Sequence, residues 1–195
     1  NPVFLFSSVV PKVFMNIKKN FKSTKFKILE IKNLKLNKII KINIKNKKNL
    51  GSDRIANAIG AKKLKNCLII DFGTATTFDV IKNGIYEGGV IAPGVNLSIK
   101  NLSQATALLP LINLKTHQKN YGKNTIEALN AGFVWGYEGL INNIIDKIIS
   151  RSKIKYKILL TGGYANFFNK MIKKKVVIDQ DITIKGIANA YKELI

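Results

Sequence analysis

The sequence predicts an α/β fold, and three observations carry that reading. Short apolar runs alternate with stretches of helical periodicity along most of the 195 residues. Three apolar runs then follow one another without a helix between them, at 67–71, 76–81 and 86–91. The first of these ends in an acid and a glycine, within the stretch LIIDFGTATT at 68–77.

In chain order, residues 3–8 read as a strand and 12–21 as a helix entered through Pro11. Residues 26–31 and 39–44 read as short strands. At 53–61 apolar residues recur at helical spacing (Ile55, Ala58, Ile59), and Ser52 is placed as the N-cap. The three consecutive strands come next, the second and third joined by an Asn83-Gly84 turn. Residues 96–107 and 124–150 read as helices. The second is long and puts Ile126, Leu129, Phe133, Leu140, Ile144 and Ile148 on one side. A buried strand at 158–160 feeds the Gly162-Gly163 turn and a helix running to about Lys173. A strand at 176–178 and a helix at 185–194 complete the pattern. The break between halves is expected near 62–67, giving domains 1–66 and 67–195.

Composition bounds the function classes. Hydrophobic residues make up 46% and charged residues 23%, a globular balance rather than a disordered one. The single cysteine, Cys67, excludes an internal disulfide and reads as a core filler at the start of a strand. No apolar stretch reaches the roughly 18 residues of a membrane span, so no membrane partner is expected. The opening NPVFLFSSVVPKV superficially looks like a signal peptide, but no positive segment precedes its apolar run. The formal charge of +22 is unevenly placed: 17 Lys and Arg stand against 2 acids in residues 1–66, and 16 against 9 beyond them. The lysines are scattered among Phe, Ile and Leu, without arginine clusters or stacking aromatics, so nucleic acid is not the expected partner. The charge is expected to attract anionic substrates.

Several motifs point to phosphoryl chemistry. The strand at 67–71 is expected to deliver Asp71 to a sheet edge. Gly73 then turns the chain, and backbone N–H groups with the Thr74, Thr76 and Thr77 hydroxyls form a nest for phosphate oxygens. Asp71 reads either as a turn former or as part of a cation or phosphate site. Asp53, beside Arg54 and after Gly51, favours the first helical turn. It also suits a proton acceptor next to a holder of an anionic substrate. Thr125 reads equally as a helix cap. Residues 88–94 are glycine-rich and read as a bend from strand to helix, and Gly162-Gly163 as a turn where a nucleotide can approach the backbone. His117 has no partner pattern for zinc or a triad and reads as a surface residue. Phe133, Trp135 and Tyr137 read as packing or subunit-interface residues. The Asp-Phe-Gly triplet at 71–73 lacks the His-Arg-Asp and Gly-x-Gly-x-x-Gly partners of a protein kinase.

Six stretches together resemble the type III pantothenate kinases: LGSDRIANAIGA (50–61), LIIDFGTATTFDVI (68–81), YEGGVIAPG (86–94), TALLP (106–110), GKNTIEALNAGFVWG (122–136) and LLTGGYA (159–165). They occur in that family's order. The resemblance implies the actin, Hsp70 and sugar-kinase superfamily, with a duplicated ribonuclease-H-like fold and ATP between its halves. It implies ATP-dependent phosphorylation of pantothenate to 4′-phosphopantothenate in coenzyme A biosynthesis, in the cytoplasm, by a homodimer. It makes Asp53 the catalytic base, and Gly51, Ser52, Asp53, Arg54 and Thr125 the pantothenate contacts. Thr74 becomes an ATP contact and Asp71 the ligand of a monovalent cation, K+ or NH4+, while ATP comes with a divalent cation such as Mg2+.

Three departures stand beside it. Ser52 replaces the family's alanine, and Ile44 stands where a tyrosine usually lies seven positions before Gly51. The family's opening Asp-x-Gly-Asn-Thr loop has no match, so the first half is expected to be incomplete, the chain a fragment or a shortened protein, and its own ATP binding and pantothenate turnover weak. Two other readings are a noncatalytic regulatory relative, of the kind known among accessory transcription factors, and a basic nucleic-acid binder resting on charge alone.

Overall fold

The computed structural model describes residues 2–22, 24–115 and 120–194. The chain divides into two compact units, one of Asn1–Cys67, Asp79–Gly88 and Asp179–Ile195, the other of Leu68–Phe78 and Gly89–Ile178. It crosses from one to the other four times, at 67/68, 78/79, 88/89 and 178/179, the first three crossings falling within strands.

In the first unit, Val3–Phe6 (β1) and Lys27–Glu30 (β2) pair in parallel, Val3 opposite Lys27 and Phe6 opposite Glu30. The helix Pro11–Asn20 (α1) makes the crossover that a parallel pair requires. Proline suits its start because the first helical N–H has no intrahelical partner. The rings of Phe4 and Phe26 meet edge to face at 4.9 Å, with Phe21 against both.

The strand expected at 39–44 shrinks to Lys41–Ile42 (β3), parallel to Ile85–Pro93 (β6). A 3-10 turn at Leu36–Lys38 carries into Ile39, whose helical backbone delays the extension. Ile40 and Ile42 are buried with exposed Lys41 between them, the alternation of a half-buried strand.

The helix Ser52–Gly60 (α2) packs on Ile182–Leu194 (α6). The approach is close: a Cβ on Gly186 would lie 1.8 Å from the Ala56 carbonyl oxygen, and one on Gly60 would lie 2.3 Å from that of Ile182. Thr183 donates its hydroxyl to the Asn57 side-chain oxygen at 2.6 Å in the same interface. Helix α6 begins at Ile182, earlier than the expected 185.

The larger sheet has six strands in the order β3-β6-β5-β4-β7-β8, with β4 at Cys67–Phe72, β5 at Ala75–Lys82, β7 at Lys157–Gly162 and β8 at Val176–Ile178. Strands β4, β5 and β6 are the three consecutive runs of the sequence. Asn83 and Gly84, both at positive φ (51° and 74°), make the two-residue turn from β5 to β6. Leu68, Ile69 and Ile70 are all fully buried, as a strand covered on both faces requires.

In the second unit, Val95–Gln104 (α3) follows β6, and Thr125–Ser152 (α4) is the longest element. Helix α4 does not bury the face expected from periodicity. Its buried stripe is Ala131, Val134, Tyr137, Ile141 and Ile145, while Ile126 is exposed and Leu129, Phe133, Leu140, Ile144 and Ile148 are half-buried. The helix is apolar on several sides, so spacing alone does not choose which side packs. Strand β7 pairs in parallel with β8. The helix between them is short, Ala165–Phe168 (α5) and a 3-10 turn at Asn169–Met171, instead of a run to Lys173. Asn142 of α4 holds that turn, donating to the Met171 carbonyl and accepting from Lys173 N–H.

Candidate functional site

The first unit brings together Gly51, Asp53, Arg54, Asp79 and Tyr86. Gly51 is the N-cap of α2, in extended geometry and without a side-chain cap. A Cβ there would lie 2.5 Å from the Asp53 Oδ1, so only glycine lets that carboxylate fold back over the helix start. The same oxygen accepts the Arg54 N–H at 2.8 Å. Ser52 is not the cap expected from its position. It is buried, and its hydroxyl donates to Glu30 Oε1 at 2.8 Å, tying α2 to the end of β2. Lys32 balances Glu30 at 3.4 Å.

Arg54 reaches from α2 to β5, where its Nε and Nη2 both meet Asp79 Oδ1 at 2.7 Å. Tyr86 of β6 donates its hydroxyl to that oxygen, also at 2.7 Å, and its ring centre lies 6.0 Å from the guanidinium carbon. Asp79 is 0% exposed and its Oδ2 has no partner among the described residues. Burial pushes its carboxyl up to about 6, while Arg54 and the Tyr86 bond pull the other way. Burial, then the Asp79 charge, pushes the Tyr86 hydroxyl up as well.

The second unit holds Asp71, Thr74 and the glycine turns. Asp71 is the penultimate residue of β4, an interior strand, so it stands near a strand end and not at the sheet's lateral edge. Gly73 and Thr74 form the turn into β5, with Gly73 N–H on the Ala75 carbonyl at 3.1 Å. Gly94, N-cap of α3, presses on that turn: a Cβ there would sit 1.9 Å from the Thr74 carbonyl oxygen. Gly162, at φ 85°, lies against the end of β4, where a Cβ would come within 2.7 Å of Asp71 Oδ1 and 2.6 Å of the Phe72 oxygen. Gly163 N–H then donates to Phe72 O at 3.1 Å.

The expected nest loses two of its threonines. Thr76 and Thr77 are buried inside β5. A threonine at 76 suits a pleated, half-buried surface, and strand pairing outcompetes the turn there. Gly88 and Gly89 likewise lie within β6, so the bend begins only at Gly94. Thr125 is exposed at the first position of α4 but does not cap it; Asn124 does, accepting from Glu127 N–H at 3.0 Å. Tyr137 is buried and shares a 2.7 Å bond with Ser98, while Trp135 is 44% exposed. Cys67 is a buried free thiol, and His117 lies outside the described residues.

Asp79, Tyr86 and Glu30 are the site residues that sequence reasoning missed. Asp79 carries a signal: it is an acid inside the apolar run TTFDVI, and a buried acid needs a partner. Among the described residues no group of three or more His, Cys, Asp and Glu could hold a metal ion, and no helix is long and apolar enough to cross a membrane.

Residues 3–147 match the family model described as type III pantothenate kinase. A protein of that name from Pelagibacter ubique (strain HTCC1062) is 52% identical over 188 residues, covering 95% of this chain and 75% of the relative. Another, from Sulfurihydrogenibium sp. (strain YO3AOP1), is 37% identical over 194 residues, covering 96% and 75%. Among solved structures, one from Campylobacter jejuni assigned to the Baf family of transcriptional activators aligns with TM-score 0.69. It covers 99% of this chain and 83% of that one at 23% identity, a likeness of fold alone. The α/β class expected from the sequence is the one observed.

Proposed function

The chain belongs to the type III pantothenate kinase family, and from that premise we propose that it phosphorylates pantothenate with ATP, giving 4′-phosphopantothenate for coenzyme A biosynthesis. The observation that carries the reading is the start of α2. There one carboxylate is oriented by the adjacent backbone N–H, and the next residue is an arginine clamped in place.

In this reading Asp53 accepts the proton of the primary hydroxyl as that oxygen attacks the γ-phosphorus. The bond to the bridging oxygen breaks, and ADP leaves with its electron pair. The base mainly orients the hydroxyl in a loose transition state, so positioning supplies most of the rate. Arg54 holds the pantothenate carboxylate, and Gly51 and Ser52 shape its surroundings. Ser52 does so through the backbone, since its hydroxyl is committed to Glu30. Thr125, on the second unit, is a pantothenate contact in the same proposal.

Thr74 contacts the nucleotide from a turn that Gly94 supports at close range. ATP comes with Mg2+ in this reading, an ion that commonly relies on phosphates and water with few carboxylates. When bound, the ion neutralises charge developing on the phosphates. Asp71, with the Phe72 carbonyl near Gly162, offers the hard oxygen donors that suit K+ or NH4+. The family's homodimer and cytoplasmic setting belong to the same proposal. Exposed Leu97 and Leu102 on α3, with Ile126 and Trp135 on α4, supply apolar surface of the kind a dimer covers.

The test is formation of 4′-phosphopantothenate by the purified protein with ATP, Mg2+ and K+, read by mass spectrometry. Asp53→Asn is expected to lower kcat by about a hundredfold or more while pantothenate binding stays nearly intact. Turnover within about tenfold of the parent would remove Asp53 from the role of base. Pantothenate and ATP binding with no product from the parent protein would favour the regulatory relative.

A further inference from the structure

We infer that Asp79 and Tyr86 are positioning residues for substrate recognition, clamping one edge of the Arg54 guanidinium so that its opposite end receives the carboxylate of pantothenate. The inference rests on the functional reading above and assigns work to two residues outside the motif that reading uses.

The geometry of the clamp is one-sided. Nε and Nη2, which share an edge of the planar guanidinium, both go to Asp79 Oδ1. Nη1 makes no bond or ion pair to a described residue, and the Arg54 side chain keeps 14% of its surface exposed. An arginine has five N–H donors in a fixed fork, so a second carboxylate can still be met end-on. Tyr86 acts on the same carboxylate oxygen from the other strand and lays its ring beside the cation. A free arginine side chain would lose rotamer entropy on binding substrate; here that loss is already incurred in the folded state.

Stability alone explains the arrangement poorly. Asp79 has no exposure, its Oδ2 has no partner among the described residues, and its neighbours in β5 are apolar. A buried ion pair of this kind is often no better for folding than well-packed hydrophobic side chains. An aliphatic residue at 79 would satisfy the strand and leave Arg54 unguided.

The clamp also has a titration. The charged groups facing Asp79 are Arg54 and Asp53 from α2, with Tyr86 from β6. Its carboxyl is pushed up to about 6, so below that pH the counter-charge holding Arg54 disappears. The Tyr86 bond favours the ionised carboxylate, and removing that bond moves the titration upward.

The experiment is calorimetric binding of pantothenate to the purified full chain between about pH 5 and pH 8, with kcat and KM measured in parallel. For the parent, Kd is expected to weaken about tenfold as pH falls through about 6, following the carboxyl of Asp79. Asp79→Asn is expected to raise Kd and KM about tenfold or more at neutral pH, flatten the pH profile, and change kcat by less than about threefold. Tyr86→Phe keeps the strand and the ring, and is expected to shift the midpoint to higher pH; it decides the matter if Asp79→Asn does not fold.

A merely structural role would lower the melting temperature without moving that midpoint. Parent-like Kd in Asp79→Asn, or an unmoved midpoint in Tyr86→Phe, overturns the inference. A parent protein that binds no pantothenate at any pH overturns the functional reading and this inference with it, a pattern distinct from either.

Discussion

Asp79 holds its proton more tightly folded than unfolded, which is the reverse of a carboxylate stabilised by an ion pair. Desolvation outweighs Arg54 and Tyr86, raising the carboxyl from 3.8 to about 6. Between those values the native state binds more protons than the unfolded chain, so this residue's contribution to stability falls as pH rises through that window. The loss is on the order of 2–3 kcal/mol by pH 7. Urea unfolding of the parent and Asp79→Asn should therefore give a stability difference, parent minus variant, that declines from about pH 4 to pH 6 and is flat above about pH 7. A difference that grows across that range would mean that the carboxyl is depressed by its partners.

Asp71 differs in kind, half-buried at a strand end beside the Gly162 turn. If it anchors a monovalent ion, turnover should rise with K+ or NH4+ and respond little to Na+. Asp71→Ala should abolish that dependence. Equal rates in sodium and potassium would contradict the assignment.

Helix contacts set the tolerances at the scale of elements. Helices α2 and α6 approach through glycine, and a Cβ at Gly186 would lie 1.8 Å from the Ala56 carbonyl oxygen. That obstacle is backbone, so Gly186→Ala must push the helices apart, at a cost of about 2 kcal/mol or more in unfolding free energy. Because α2 begins with Gly51, Asp53 and Arg54, the same change is expected to weaken pantothenate binding as well as stability. Gly139 is the control: a Cβ there meets nothing within 4 Å, and Gly139→Ala in the middle of α4 should stabilise by about 0.5–1 kcal/mol.

Elements with a local signal were legible in the sequence. The buried runs of β4 to β6 show as apolar stretches, and Asn83-Gly84 demands a tight turn. Elements decided by distant partners were not. Ser52 has the residue type of a cap, but Glu30, far away in sequence, takes its hydroxyl. The packed face of α4 depends on what lies against it, and a helix with Ile126 and Trp135 on its exposed sides gives periodicity little to select. Likewise Asp79 is legible as an anomaly in β5, but its bond to Arg54 is a tertiary fact.

At the scale of the whole molecule the dominant quantity is a formal charge of +22 on 195 residues. The ion pairs of the described residues, such as Lys174 with Asp146 and Lys185 with Asp179, engage few of the lysines, and both of these pairs are partly exposed. Exposed pairs of that sort contribute little, so the net electrostatic effect on folding is self-repulsion. Repulsion among surface charges is screened once the Debye length falls to about 8–10 Å, near 0.1–0.15 M salt. The melting temperature is therefore expected to rise when NaCl is raised from about 0.02 M to about 0.3 M, by about 2–4 °C for each kcal/mol of repulsion relieved. Sodium chloride is the appropriate salt because it separates this effect from the potassium dependence assigned to Asp71. The same charge should retain nonspecific DNA at low salt and release it steeply as salt increases, whatever the sequence. A melting temperature that falls with NaCl would show that attractive pairs outweigh the excess of lysine. Sequence-selective DNA binding that survives about 0.2 M salt would give the charge a function of its own.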